Sequence, residues 1–352
     1  MKKHYTAHKL SNKRSYKSPL TTPNMICLGI ESTAHTFGAG IVTNKGEVLS
    51  NQRSMYTTAS GGIHPMKATK HQLLLCDKII NSALEEAKLK LSDLDLIAFS
   101  QGPGLGQTLR VGAVSARTLS KLLNVPLLGV NHCVAHIEIG KHKTKLKDPI
   151  TLYVSGANTQ IIAYAGNKYR VFGETLDIGV GKFLDTIGRF MGTGFPGGPA
   201  IENLAAKGKK YIELPYSIKG MDFSFAGIQT KVRQLIESEA YSNNDLAFST
   251  QETVFAMLTE ATERAIAHIG KNEVLLTGGV AANKRLTRML ETMCKSRKVK
   301  FEVCPRELSG DQGAMIAWQG IVEYSAGKRQ KISDTEINGK WRTDQVEVNW
   351  IK

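Results

Sequence analysis

The run Ile150-Thr151-Leu152-Tyr153-Val154-Ser155-Gly156-Ala157-Asn158-Thr159-Gln160-Ile161-Ile162-Ala163-Tyr164-Ala165 reads as an apolar strand, a small polar turn and a second strand. A third follows at residues 169–172. The same order stands near the start of the chain. Ile26-Cys27-Leu28-Gly29-Ile30 is an apolar run and Glu31-Ser32-Thr33-Ala34-His35-Thr36 a small polar loop; strands are expected at 37–43 and, after the Asn44-Lys45-Gly46 turn, at 47–53. Strands joined this closely pair antiparallel. A meander with a polar first turn, used twice, implies two similar halves facing one another across a cleft. Amides and hydroxyls in those turns suit a phosphate, although a plain hairpin turn explains either one alone.

Between the repeats, Gly61-Gly62-Ile63-His64-Pro65 breaks the chain, and Leu73, Cys76, Ile80, Ala83, Leu84 and Ala87 then recur at helical spacing. A buried strand at 94–99 leads through Gly102-Pro103-Gly104-Leu105-Gly106 into a helix at about 107–123. Glycines before a helix allow close approach of an anion. The spacing is not the dinucleotide fingerprint, so no nicotinamide cofactor is inferred. The next strand, Leu127-Leu128-Gly129-Val130, delivers Asn131-His132-Cys133-Val134-Ala135-His136. Two histidines four residues apart on a helix offer two ring nitrogens on one side, as a divalent metal needs. The same spacing also occurs in polar faces and caps, and a third ligand must come from elsewhere.

In the second half, Asp177 and Asp185 bracket a glycine-containing segment, and residues 192–202 carry four glycines and two prolines. Carboxylates beside such turns suit ribose hydroxyls; helix capping explains them equally. Residues 274–283 read as strand, glycine turn and helix start, a backbone against which a flat base fits. Ser309-Gly310-Asp311-Gln312-Gly313 precedes an apolar helix at 314–322, which puts Asp311 in a loop or at an N-cap.

The bulk numbers set the class. With 352 residues, 41% hydrophobic and 22% charged, the chain is long enough for two domains or one large α/β unit. No apolar run is long enough to span a bilayer and no signal peptide is visible, so an intracellular, cytoplasmic protein is expected. Five scattered cysteines without C-x-x-C spacing indicate neither a disulfide framework nor a zinc ribbon. The formal charge of +15 favours a polyanionic partner, nucleic acid ahead of others. Residues 1–24 hold six Lys/Arg and no acid, and are expected to form a disordered basic extension, with Met25 as the functional start. Lobes are expected at 25–148 and 149–352, the second including the inserted substrate loops and the C-terminal helix.

The doubled meander resembles the actin, hexokinase and Hsp70 superfamily, an α/β architecture of two actin-like (ribonuclease-H-like, ASKHA) lobes facing a central cleft. More narrowly, several motifs together resemble the tRNA N6-adenosine threonylcarbamoyltransferase family. They are His132/His136, Tyr153 to Thr159, Asp177 to Asp185, Gly194 to Glu202, Thr277 to Asn283 and Asp311-Gln312-Gly313-Ala314-Met315-Ile316. Within the family the likeness is to the archaeal and eukaryotic member of the KEOPS complex, running in order from residue 25 to about 350.

That resemblance implies a divalent metal held by His132, His136 and Asp311, with Tyr153 near or bound; iron is the family's usual ion, zinc and magnesium the alternatives. It implies that Tyr153, Val154, Ser155, Gly156, Ala157, Asp185, Gly198, Glu202 and Asn283 hold the substrate adenylate, in a cleft that also suits ATP or AMP. The implied enzyme is a metal-dependent acyltransferase. It moves threonylcarbamoyl from threonylcarbamoyl-AMP, supplied by a separate synthase, to N6 of the tRNA adenosine 3′ of the anticodon in tRNAs reading codons that start with A, releasing AMP. No catalytic residue is assigned for the amine proton. Implied partners are tRNA and the KEOPS subunits: a kinase-like ATPase, expected as a separate chain, a dimerising adaptor and a further small subunit, with the helices after Pro65 and Gly106 as the docking face. Lysines 141–147, 207–210 and 295–300 are the expected RNA contacts. The sequence departs from the family at Ala157, Gln312, Ala226, Met66 and Gln72, where Gly, Asn, Ser, Arg and His are common. An actin-like ATPase or kinase is the alternative. A zinc peptidase fits less well, because His-Cys-Val-Ala-His lacks the glutamate of H-E-x-x-H.

Overall fold

The computed structural model describes residues 24–58 and 63–351; the expected basic extension, apart from Asn24, and Gly61-Gly62 of the breaker lie outside the described residues. The first sheet holds β1 (Ile26–Glu31), β2 (Thr36–Thr43), β3 (Val48–Met55), β4 (Leu96–Gly102) and β5 (Leu127–Asn131), in the order β3-β2-β1-β4-β5. The helices α1 (Pro65–Ala87), α2 (Gly106–Leu123) and α3 (His132–Thr144) intervene or follow. β1 to β3 form an antiparallel meander, and β4 and β5 add to β1 in parallel.

The second half repeats this plan. β6 (Ile150–Val154), β7 (Thr159–Ala165) and β8 (Lys168–Glu174) are the meander. After α4 (Val180–Phe190), α5 (Gly198–Ala205), the small ribbon β9 (Ile218–Lys219) and β10 (Asp222–Phe223), α6 (Ala226–Glu237) and α7 (Asn243–Ile269), two parallel strands complete the sheet. These are β11 (Glu273–Thr277) and β12 (Lys300–Val303), separated by α8 (Lys284–Arg297), and the order is β12-β11-β6-β7-β8. The chain closes with α9 (Arg306–Ser309), α10 (Gly313–Ser325) and an extended tail. The two sheets are topological copies, as the doubled meander predicts.

The apolar runs are continuous because both faces of each sheet are covered. In β1, Cys27 faces a core shared with α10, whereas Leu28 and Ile30 face one that includes Ile80 and Ala83 of α1 and Val111 of α2. Each such side chain contributes about 1.5–3 kcal/mol on burial.

One boundary needs correction. The split at 148/149 separates the two sheets, but α10, assigned from sequence to the second lobe, packs across β1, β2 and β4 of the first. Its contact is backbone on backbone. A Cβ at Gly29 or Gly40 would overlap the Ala317 or Ala314 nitrogen, and one at Gly313 would overlap the Gly40 nitrogen. Only glycine permits this approach. Residues 338–351 then return along the molecule: the Asn338 amide bonds the Gln101 carbonyl at 2.8 Å, and the Val348 amide bonds the Asn167 carbonyl at 3.1 Å, tying the two lobes together.

Candidate metal centre and substrate cleft

The end of β5 sets the histidines. Asn131 is the N-cap of α3, its Oδ1 accepting the Cys133 and Val134 amides at 3.0 and 3.1 Å. Such a cap satisfies two of the amides a helix start leaves unpaired, contributing about 1 kcal/mol. His132 is therefore the first helical residue and His136 lies one turn on; their rings meet edge to face at 4.7 Å between centroids. Asp311 arrives from the other end of the chain, in the loop before α10. Its Oδ1 stands 3.4 Å from His132 Nε2 and 3.3 Å from His136 Nε2. Asp311 is not a cap: Gln312 caps α10, its Oε1 accepting the Met315 amide at 2.9 Å.

The charges are arranged around His132. Burial alone would lower its pKa, but the Glu31 and Asp311 carboxylates outweigh that and hold it well above the usual imidazole value. His136 is held below it by burial, which outweighs the Asp311 carboxylate. Asp311 is pushed up by burial but carried well below the normal carboxylate range by His132 and His136. The Glu31 carboxylate also accepts the Thr33 amide at 2.6 Å and its hydroxyl. Sequence reading missed Glu31, whose neighbours resemble a phosphate turn; a carboxylate at the end of a parallel strand was its only signal.

These residues fit a divalent metal. The donor atoms of His132, His136 and Asp311 lie within 4.8 Å of one another. Beside them the Tyr153 hydroxyl is buried without a hydrogen-bond partner among the described residues, its ring 5.2 Å from that of His136. His132 passes its other nitrogen to Glu31, the carboxylate–histidine support that metal-binding imidazoles use.

The centre opens into a cleft of about 770 Å³. Its lining includes Tyr153, Ser155, Gly156, Ala157 and Asp185 from the expected substrate set, together with His132 and Asp311. The Ser155–Asn158 turn closes on itself, and the start of α4 covers it, the Gly181 and Lys182 amides bonding the Ser155 and Gly156 carbonyls. The amides of Gly156 and Ala157 have no partner among the described residues. Asp185 faces the cleft and accepts the Gly197 amide at 2.7 Å, while burial pushes its carboxyl up.

Four expected residues stand behind the lining rather than in it. Val154 is a buried strand residue whose side chain belongs to the second lobe's core. Gly198 opens α5, and Glu202 on the same helix accepts the Lys284 amide at 2.9 Å. Asn283 caps α8 through the Arg285 and Leu286 amides and donates to Gln251. None of the four is among the lining residues. Asp177 is a cap, as the plainer explanation held, but for α6, through the Phe225 and Ala226 amides. In the run at 141–147, Lys141 is half-buried against Glu138 and Tyr169 and Lys143 bonds the Gly46 carbonyl, whereas Lys145 and Lys147 are exposed.

Structures of like fold define the class first. HypF of T. kodakarensis superposes with a TM-score of 0.58 at 16% identity, covering 84% of this chain and 46% of that one. Component A of the (R)-2-hydroxyglutaryl-CoA dehydratase of Acidaminococcus fermentans gives 0.54 at 15% identity, over 86% and 99%. The fold is thus that of the two-lobed actin-like class. Sequence likeness is narrower. Residues 46–318 match the tRNA N6-adenosine threonylcarbamoyltransferase family. The chain is 56% identical over 326 residues to the tRNA N6-adenosine threonylcarbamoyltransferase of Thermococcus kodakarensis, covering 93% of this chain and 100% of that one. It is 53% identical over 328 residues to a probable bifunctional tRNA threonylcarbamoyladenosine biosynthesis protein of Methanocaldococcus jannaschii, covering 93% of this chain and 61% of that protein. The chain belongs to the tRNA N6-adenosine threonylcarbamoyltransferase family.

Proposed function

We propose that the chain transfers threonylcarbamoyl from threonylcarbamoyl-AMP to N6 of the adenosine 3′ of the anticodon, in tRNAs reading codons that start with A, releasing AMP. One observation carries this reading: His132, His136 and Asp311 converge at a cleft whose other side is the Ser155–Asn158 turn. The N6–carbonyl bond forms as the carbonyl–O–phosphate bond breaks, and the amine gives up one proton.

Each part has a task. His132, His136 and Asp311, with Tyr153 beside them, would hold one divalent metal, iron first and zinc or magnesium as alternatives. Such an ion supplies positive charge where oxygens gain negative charge in acyl transfer. The unpartnered amides of Gly156 and Ala157 suit the adenylate phosphate, as oriented donors that need no rearrangement. Asp185 suits a substrate hydroxyl. Gly198, Glu202 and Asn283, just behind this wall, belong to the proposed adenylate site as well, and Glu202 also ties α5 to the start of α8. The buried flank of the centre excludes water from the acyl group. A base in an anticodon loop costs little to splay into such a cleft.

Exposed Leu73 and Leu74 on α1 and Val114 and Leu122 on α2 support docking of a dimerising adaptor there, with a kinase-like ATPase and a further small subunit completing a KEOPS assembly. No helix among the described residues is long and apolar enough to cross a membrane. A cytoplasmic setting follows from the proposed reaction, which meets tRNA and an adenylate made by another enzyme. The test is AMP release from threonylcarbamoyl-AMP: a rate that depends on tRNA supports the reading, and one indifferent to tRNA refutes it.

A further inference from the structure

The mouth of the cleft carries cations that the chemistry at its floor does not use. On α4, Lys182, Asp185, Thr186 and Arg189 all line the cleft. They stand at i, i+3, i+4 and i+7, one face of the helix. Residues 338–343 supply Lys340 and Arg342 to the same lining. That segment is bonded to the first lobe, the Gly104 amide to the Gly339 carbonyl at 3.2 Å and Asn131 Nδ2 to the Trp341 carbonyl at 3.1 Å. Cations therefore face the opening from both lobes.

Lys182, Arg189 and Lys340 are exposed, and none forms an ion pair among the described residues; Arg342 is paired, to Glu174 and Asp344. Three exposed cations without an ion pair around one opening favour a polyanion, although Arg189 also acts on the Asp185 carboxylate one turn away. The Cα atoms of Lys182 and Arg189 are about 10 Å apart along the helix, so their charges can meet successive phosphates of one strand. The donor has one phosphate, and the Ser155–Asn158 turn already offers it two amides.

We propose that Lys182, Arg189 and Lys340 hold the phosphodiester backbone of the acceptor RNA at the mouth of the cleft, with Arg342 alongside. This rests on the RNA-modifying reading and names the residues that seat the RNA. The expected lysine runs lack this placement: Lys207, Lys209 and Lys210 lie off the cleft, their segment held by the Lys209 and Lys210 amides on Asp245. Isolated cations, brought together only by folding, form the track.

The test measures binding of an anticodon stem–loop RNA, and separately of AMP, to the full-length chain over a range of salt. In the Lys182→Gln/Arg189→Gln/Lys340→Gln variant, RNA affinity at 0.15 M salt falls at least about tenfold, and the slope of log K against log salt falls by about 2. AMP affinity stays within about twofold. The same change at Lys207, Lys209 and Lys210 has the smaller effect on slope. Thermal melting checks the fold, and the three single variants replace the triple if it melts early. An unchanged slope, a larger effect from the Lys207 set, or a greater loss for AMP than for RNA overturns the proposal. Failure of the wild-type chain to bind the RNA at all refutes the reading beneath it instead.

Discussion

The Glu31 carboxylate, at the end of the first strand, stands 2.9 Å from Nδ1 of His132, at the start of α3. This contact turns the other ring nitrogen toward Asp311 and fixes which nitrogen can bind a metal. It also joins the opening residues of the chain to a centre completed only at residue 311.

Glu31→Gln keeps the shape and removes the charge. Metal affinity is expected to fall about 10–100-fold, the usual cost of losing such a support. Competition titration against a chelator measures it. Affinity unchanged within twofold would assign Glu31 to the Thr33 turn alone.

Gly40→Ala places a methyl group against the backbone at Ala314. The helix must retreat, at a cost of about 1–3 kcal/mol or more, and Asp311 moves with it. Urea melting and metal content are expected to fall together. A destabilised variant with full metal content would show that Asp311 is positioned independently of α10.

Those glycines mark what could be read beforehand. The repeated meander was legible because buried strands on two covered faces must be continuously apolar, and the histidine pair because its spacing is local. The destination of α10 was not. A helix buried nearly all round has no polar face to aim it, and Gly29 and Gly40 in apolar strands do not announce what crosses them. Glu31 and Lys141 were hidden for the same reason: their partners, His132 and Tyr169, come from distant segments.

Asp177 supplies a pH test away from the centre. Burial raises its carboxyl, but the Phe225, Ala226 and Ile178 amides outweigh that, and the folded pKa lies below the ordinary value. The stabilisation is therefore full above the unfolded pKa and lost as pH falls through the folded one. Asp177→Ala is expected to cost about 1 kcal/mol at pH 7. The deficit should shrink in acid, as melts from pH 7 to pH 3 would show; a constant deficit would contradict the cap.

Leu73 and Leu74 are 59% and 63% exposed on α1. Leu73→Glu/Leu74→Glu is expected to leave the melting temperature within a few degrees and to abolish association with the proposed adaptor in size-exclusion chromatography. Retained association would move the docking face elsewhere.

The central claim is that a carboxylate near the end of the chain and two imidazoles near its middle act as one centre for acyl transfer to tRNA. Nucleoside mass spectrometry of tRNA incubated with threonylcarbamoyl-AMP and the chain, partners added, tests it most directly. Wild type is expected to yield threonylcarbamoyladenosine and Asp311→Asn to yield at least about a hundredfold less. Equal yields from the two proteins would contradict the account.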